Sequence, residues 1–318
     1  MLTLGIDTSN YATSLAVVCT DAKEVVCDSK RFLPVKEGER GLRQSDAVFH
    51  HTAALPEMLS ELNERVPLSE IGAVGFSVKP RPVEGSYMPC FLVGKACAES
   101  IALARGTKPV ATTHQQGHVA AALYAAKEPA LWGRETIVFH ISGGTTEMLL
   151  CRGYEILRVL GGSQDLYAGQ AVDRVGVRLG FPFPAGVYVS QLAQKWKEPV
   201  RPKVSVKGMN CSLSGLENQC EAMLKEGAPA ERVAHYCLSY IAQTILKMIE
   251  HARCEYPGRP VVCAGGVMSS DLIREYVCAK QRDVYFVPGK FSSDNAIGVA
   301  LIAANEVGDW NEQSQFHS

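Results

Sequence analysis

The chain has no CxxC pair, although it carries eleven cysteines. Their odd count and scattered positions fit reduced thiols better than a disulfide framework or a cysteine-based zinc site. It also lacks net charge: 32 basic and 33 acidic residues nearly cancel, so no overall positive field points to a nucleic-acid partner. Any contact with RNA must rest on local basic residues such as Lys79, Arg81, Lys203 and Lys207, or on a helper subunit. No apolar run is long enough to span a bilayer, and the opening MLTLGIDTSNYATS has no basic stretch followed by an apolar core. Neither a membrane span nor a secretory leader is expected, and the reading is a cytoplasmic protein. No low-complexity segment interrupts the chain, and 318 residues are long for one domain and comfortable for two.

What is present centres on Thr113-His114-Gln115-Gln116-Gly117-His118. The run Gly117 to Ala126 is rich in helix formers, so His114 and His118, four apart, are expected on one helix face about one turn apart. A satisfied pair of histidines shows the same spacing. With a carboxylate, Asp294 in Ser292-Ser293-Asp294-Asn295-Ala296, the set offers the N and O donors that suit a catalytic zinc or iron(II) with open positions.

Along the chain, Leu2 to Asp7 and Thr13 to Cys19 read as strands flanking the polar turn Asp7-Thr8-Ser9-Asn10. Residues 36–48 read as a polar connection and His50 to Glu64 as an amphipathic helix. Ile71 to Ser77 reads as a strand, Lys79-Pro80-Arg81-Pro82 as a stiff loop, Pro89 to Arg105 as a buried helix and Pro109 to Thr112 as a strand entering His114. The hairpin pattern then recurs: Thr136 to Ile141, the turn Ser142-Gly143-Gly144-Thr145-Thr146, and Glu147 to Cys151. Amides of such a glycine turn can approach a phosphate because no Cβ blocks them.

Leu166 to Leu179 reads as a helix carrying Asp173, followed by a rigid loop from Gly180 to Gly186, and residues 197–209 read as irregular. Helices are expected from Ser212 to Leu224 and Ala230 to Cys254. Pro260 to Cys263 is a strand running into Gly265-Gly266-Val267-Met268-Ser269. A helix from Ser270 to Cys278, a strand from Asp283 to Val287 and a closing helix begun at Ala296 complete the pattern. Alternating strands and helices argue an α/β class, and two hairpins about 130 residues apart argue a duplicated core.

Taken together and in order, these motifs resemble the tRNA threonylcarbamoyladenosine transferases, formerly described as O-sialoglycoprotein endopeptidases. The segments that carry the resemblance are Gly5-Ile6-Asp7-Thr8-Ser9, His50-His51, His114 to His118, Ile141-Ser142-Gly143-Gly144 and Gly169-Gln170-Ala171-Val172-Asp173. It continues through Pro184-Ala185-Gly186, Ser212-Leu213-Ser214-Gly215-Leu216, Gly265-Gly266-Val267 and Ser293-Asp294-Asn295-Ala296.

The resemblance implies a two-lobed actin-like ATPase (ASKHA/Hsp70) fold with the site between the lobes. The N-terminal lobe is expected over 1–112, closed by a C-terminal helix at 296–318, and the C-terminal lobe over 113–295. It further implies one divalent metal, Fe2+ or Zn2+, on His114, His118 and Asp294. An adenine nucleotide or threonylcarbamoyl-AMP is expected on Ile141, Ser142, Gly143, Gly144, Thr145, Asp173, Gly186, Gly265, Gly266 and Ser270, with Asp7 and Asp173 as catalytic candidates. The implied reaction moves a threonylcarbamoyl group from its adenylate to adenosine in the tRNA anticodon loop. Expected partners are tRNA, a nucleotide-binding sister subunit and an ATPase, and a homodimer, with no membrane.

The sequence departs from the family where chemistry is expected. An adjacent Asp-Glu pair is missing near Asn10-Tyr11-Ala12, Thr145 stands for a His, Gln170 for a Glu and Ser270 for an Asn, and Lys79-Pro80-Arg81-Pro82 replaces a Gly-Pro-Gly loop. These changes suggest a divergent paralogue. They leave open a catalytically weak, nucleotide-binding regulatory scaffold, or a carbamoyl transferase with another acceptor. A small-molecule kinase fits less well, because the first turn lacks a glycine, and a zinc protease would need a Glu after the first His.

Overall fold

The computed structural model describes residues 1–34, 42–291 and 296–308. In chain order the elements are β1 (Leu2–Thr8), β2 (Ala12–Cys19), β3 (Glu24–Phe32), α1 (Gln44–Arg65), β4 (Ile71–Ser77), α2 (Phe91–Arg105), β5 (Lys108–Thr112) and α3 (His114–Ala125). There follow β6 (Glu135–Ile141), β7 (Thr146–Arg152), β8 (Glu155–Gly162), α4 (Ala168–Arg178), α5 (Gly186–Ala193), β9 (Ser205–Lys207), β10 (Asn210–Ser212) and α6 (Ser214–Lys225). The last are α7 (Ala230–Glu255), β11 (Val261–Ala264), α8 (Asp271–Cys278), β12 (Val284–Phe286) and α9 (Ile297–Val307).

Contacts divide the chain into a unit of Met1–Gly133, Gly153–Glu155 and Asp294–Ser318 and a unit of Arg134–Arg152 and Ile156–Ser293. The first is built on a sheet of order β3-β2-β1-β4-β5, the second on β12-β11-β6-β7-β8. In each, an antiparallel hairpin (β1 with β2, β6 with β7) is extended by parallel pairing of its first strand to a later one (β4, β11), which pairs in parallel with the last (β5, β12). The same topology occurs twice, as the two hairpins required.

Strand alternation sets the two faces of the first sheet. Leu4, Ile6, Leu15, Val17, Val74 and Phe76 pack with Leu55, Met58 and Leu62 of α1 and Ala98 and Ala102 of α2. Thr3 and Gly5 face α9, where the Thr3 hydroxyl donates to the Ala300 carbonyl at 3.1 Å and an added Cβ at Gly5 would meet Ala300 N at 2.6 Å. At Gly75 that added Cβ would meet the Val299 carbonyl oxygen at 2.6 Å. These glycines bring α9 onto the strands. In the second unit Ile137, Phe139, Ile141 and Met148 form one core with apolar residues of α4 to α8, including the fully buried Tyr240.

Several expectations shift. Helix α1 begins at Gln44, inside the stretch read as a connection, and residues 35–41 lie outside the described residues. Strand β3 has no counterpart in the sequence reading, because its burial alternates without a fully buried residue, as an edge strand's does. Helix α5 carries Val187, Tyr188 and Val189, locally strand-favouring residues. It is helical where Ala185 and Val189 lie against Gly176 of α4, with Val189 Cγ2 at 2.8 Å from where a Cβ would stand. The irregular stretch contains β9, paired with β10. Finally α3, assigned from sequence to the C-terminal lobe, belongs to the first unit: Gly117 of α3 meets Gly298 of α9 so closely that a Cβ on Gly298 would overlap the Gly117 carbonyl.

Candidate functional site

In the first unit the parallel register places Ile6 beside Phe76 and Ser77 beside Thr112. The carboxyl ends of β1, β4 and β5 therefore lie side by side, where ligands gather in open α/β sheets. Asp7, Ser77 and the start of α3 meet there. Thr113 caps α3, its hydroxyl accepting from Gln116 N–H, while the Gln116 side chain accepts from Thr113 N–H at 3.2 Å. The carbonyls of Lys79 and Pro80 accept from the N–H groups of His114 and Gln115, each at 3.0 Å. This capping box starts the helix at His114, three residues before the expected run. The loop Lys79-Pro80-Arg81-Pro82 is thus clipped onto the histidine helix.

His114 and His118 face each other with ring centroids 4.4 Å apart and Nε2 atoms 3.0 Å apart. Phe91 flanks His114 at 6.0 Å between ring centroids. His114 Nδ1 lies 3.0 Å from Asp7 Oδ2, and the Ser77 hydroxyl donates to Asp7 Oδ1. The Asp7 side chain is 0% exposed and that of His114 21%. Among the described residues no group of three His, Cys, Asp or Glu side chains is arranged to hold a metal, and Asp294 lies outside the described residues. The two histidines nevertheless fit the nitrogen half of such a site. Metal–nitrogen bonds of about 2.1 Å separate neighbouring ligand atoms by about 3.0–3.4 Å, and a carboxylate behind the first imidazole is the usual support.

The first hairpin turn is held from α1. His51, fully buried, donates from Nε2 to the Ser9 carbonyl at 2.9 Å, and its Nδ1 accepts from the Thr13 hydroxyl at 2.7 Å. Burial holds its pKa below the ordinary imidazole value. Near the position where the resemblance implies an acidic pair, Asn10 accepts from Gln44 Nε2 at 2.6 Å, Tyr11 is exposed and Ala12 is buried.

In the second unit the β6–β7 turn closes through Ser142 N–H and the Thr145 carbonyl at 2.8 Å. Gly169, at the start of α4, abuts it: Gly169 N–H donates to the Ser142 carbonyl at 3.2 Å, and a Cβ there would stand 2.7 Å from Gly143 N. Gly265, with φ +108°, presses on the Ile141 carbonyl, a fit that only glycine makes without strain. Around Gly143, Gly144, Gly186 and Gly266, in contrast, an added Cβ would meet nothing within 4 Å. Asp173 accepts from Ala185 N–H at 2.8 Å and from Gly186 N–H, while burial raises its pKa. Ser270, buried, precedes α8.

The structure therefore brings Ile141–Thr145, Gly169 and Gly265 together, and separately Asp173 with Ala185 and Gly186. Lys79 and Arg81 lie in the first unit, Lys203 and Lys207 in the second. Ser77 carries no sequence signal, being one polar residue at a strand end. Gly169 stood in a recognised motif without its packing role being visible. The capping box was legible as Thr113-x-x-Gln116.

A profile described as tRNA N6-adenosine threonylcarbamoyltransferase matches residues 35–301. The enzyme of that name from Methanopyrus kandleri is 26% identical over 306 residues, covering 94% of this chain and 86% of that one. A Methanocaldococcus jannaschii protein, named a probable bifunctional tRNA threonylcarbamoyladenosine biosynthesis protein, is 24% identical over 306 residues, covering 95% and 55%. Among solved structures, component A of the (R)-2-hydroxyglutaryl-CoA dehydratase of Acidaminococcus fermentans superposes with a TM-score of 0.59 at 16% identity, covering 96% and 98%. The doubled sheet topology and this likeness identify the fold as the actin-like ATPase fold with a duplicated core. The profile match over most of its length shows that the chain belongs to the tRNA N6-adenosine threonylcarbamoyltransferase family.

Proposed function

We propose that the chain is a metal-dependent acyl transferase that moves a threonylcarbamoyl group from threonylcarbamoyl-AMP to N6 of an adenosine in the tRNA anticodon loop. The observation that carries this reading is the paired Nε2 atoms of His114 and His118 at 3.0 Å, in a chain of this family. These residues, with Asp294 as third ligand, would hold one Fe2+ or Zn2+. Such an ion supplies charge stabilisation for the carbonyl oxygen or the anhydride.

The second unit, taken by itself, carries the candidate nucleotide contacts. Gly143, Gly144 and Gly266, open where a Cβ would stand, leave space for phosphate to approach the backbone, and Ser142, Thr145 and Ser270 supply hydroxyls. Asp173 holds the Ala185 and Gly186 N–H groups, and we assign the turn they form to the nucleotide. In the transfer, the N6 lone pair forms a bond to the carbamoyl carbon, the carbon–oxygen bond to phosphate breaks, AMP leaves, and N6 loses one proton. Asp173, whose carboxyl burial moves toward proton uptake, is assigned to accept that proton. Positioning supplies much of the rate, because a base amine is a poor nucleophile.

This chain matches 55% of the relative named as bifunctional, which supports a second activity working alongside this one; the partners we assign to it are a nucleotide-binding sister subunit and an ATPase. We assign the work to the cytoplasm on the ground that tRNA is the proposed substrate; separately, among the described residues no helix is long and apolar enough to cross a membrane. The regulatory alternative rests on the sequence, where the acidic pair is missing near Asn10-Tyr11-Ala12.

The test is a rescue. A host depleted of its own transferase expresses this chain, and its digested tRNA is assayed by mass spectrometry for threonylcarbamoyladenosine. Restored modification is expected. A soluble, metal-loaded protein that restores nothing, even with the host's partner proteins present, would favour the scaffold or another acceptor.

A further inference from the structure

We infer that Asp7, locked by Ser77, is a positioning residue that fixes His114 as the Nδ1–H tautomer and so keeps its Nε2 lone pair turned toward His118. This rests on the metal-site reading above and changes the work assigned to Asp7 from reacting group to orienting group. Three observations carry it. The Asp7 side chain is 0% exposed, so neither oxygen is open to a substrate. Both oxygens are already engaged, Oδ1 by the Ser77 hydroxyl and Oδ2 by His114 Nδ1 at 3.0 Å. The opposite nitrogen of the same ring is the one that faces His118 Nε2 at 3.0 Å.

An ionised carboxylate accepts and cannot donate, so a neutral His114 must carry its proton on Nδ1 to satisfy Asp7. The lone pair is then on Nε2, the state a metal ligand needs. Ser77 has a defined part, because its hydroxyl holds the other carboxylate oxygen and so sets the plane in which Oδ2 meets the ring. The register makes the arrangement: Ile6 pairs with Phe76, so the next residues on β1 and β4, Asp7 and Ser77, emerge together.

The test uses the full chain, the isosteric variant Asp7→Asn and the second variant Ser77→Ala. In the metal-free proteins, long-range proton–nitrogen NMR of the imidazoles reads the tautomer. Wild type is expected as Nδ1–H at His114, and Asp7→Asn is expected to shift the population toward Nε2–H, since the amide can offer its N–H to Nδ1. Chelator competition with Co2+ then reads affinity: about a 10–100-fold loss for Asp7→Asn, the usual effect of removing such a partner, and a smaller loss for Ser77→Ala. Circular dichroism confirms that the variants are folded. If Asp7→Asn does not fold, Ser77→Ala decides alone, and wild-type tautomer and Co2+ affinity in that variant overturn the inference.

An unchanged tautomer in folded Asp7→Asn also overturns it, as does unchanged Co2+ affinity with lost transfer, which would return Asp7 to the chemistry. Failure of the wild type to bind Co2+ counts against the metal-dependent function. The tautomer comparison, made without metal, then still decides whether Asp7 orients His114.

Discussion

The crossing of α3 and α9 is where stability and the histidine pair are most directly coupled. Gly298 lies against Gly117 with no room for a methyl group: besides the overlap with the Gly117 carbonyl, the added Cβ would stand 3.0 Å from Ala121 N. Neither contact can be relieved by turning a side chain, because both partners are backbone. In Gly298→Ala the two helices must separate by about an ångström, which forfeits a quarter to a half of the dispersion energy along the contact. We expect a loss of about 1–3 kcal/mol, the usual range for overpacking, toward its upper end. At about 2–4 °C per kcal/mol for domains of this size, Tm falls by about 4–12 °C. Because α3 carries His114, its displacement also lengthens the 3.0 Å contact to Asp7, so Co2+ affinity falls with Tm. Gly117→Ala is the control: its Cβ would meet Val299 Cγ2 at 3.1 Å, a side-chain atom that can move, and a smaller loss is expected. Calorimetry of both variants checks this. Gly298→Ala melting within a degree of wild type would refute the reasoning that close backbone approach fixes α3.

Gly144→Ala should leave Tm unchanged, since its Cβ meets nothing within 4 Å, and should weaken AMP binding several-fold in calorimetric titration if that space belongs to the phosphate. Asp173→Ala removes the acceptor for Ala185 N–H and Gly186 N–H; about 1–3 kcal/mol of stability is lost by denaturant melting, and AMP affinity falls with it. His51 sets a pH dependence. Its folded pKa lies below the unfolded value of about 6.5, so as pH falls the unfolded chain takes up the proton first. The stability from this neutral histidine is present above that value and is lost as pH falls from about 6.5 toward the folded pKa. Urea melts at descending pH should show that decline in wild type and a shallower one in His51→Gln.

Much of the first half-site was written locally. The capping residues Thr113 and Gln116 start α3 at His114, and a spacing of four on any helix puts His114 and His118 on one face, so neither needed the rest of the chain. The paired hairpins were legible because their alternation and polar turns are short-range patterns. What was not legible depended on partners distant in sequence. Ser77 matters only because β4 lies parallel to β1, and α5 is a helix despite its valines because Gly176 gives it a surface on which to pack. The boundary between units moved past α3 for the same reason: a glycine 181 positions away, Gly298, lets the helix join the first sheet's layer.

The sequence by itself determined the α/β class, the duplicated hairpins, the family and the spacing of the histidines, because period, turn chemistry and motif order are properties of neighbouring residues. Only tertiary structure decided which glycines stand against backbone and which are open, and that Asp7 spends both carboxylate oxygens on Ser77 and His114. Those outcomes follow from strand register and helix crossing, where residues far apart in the chain compete for the same few ångströms.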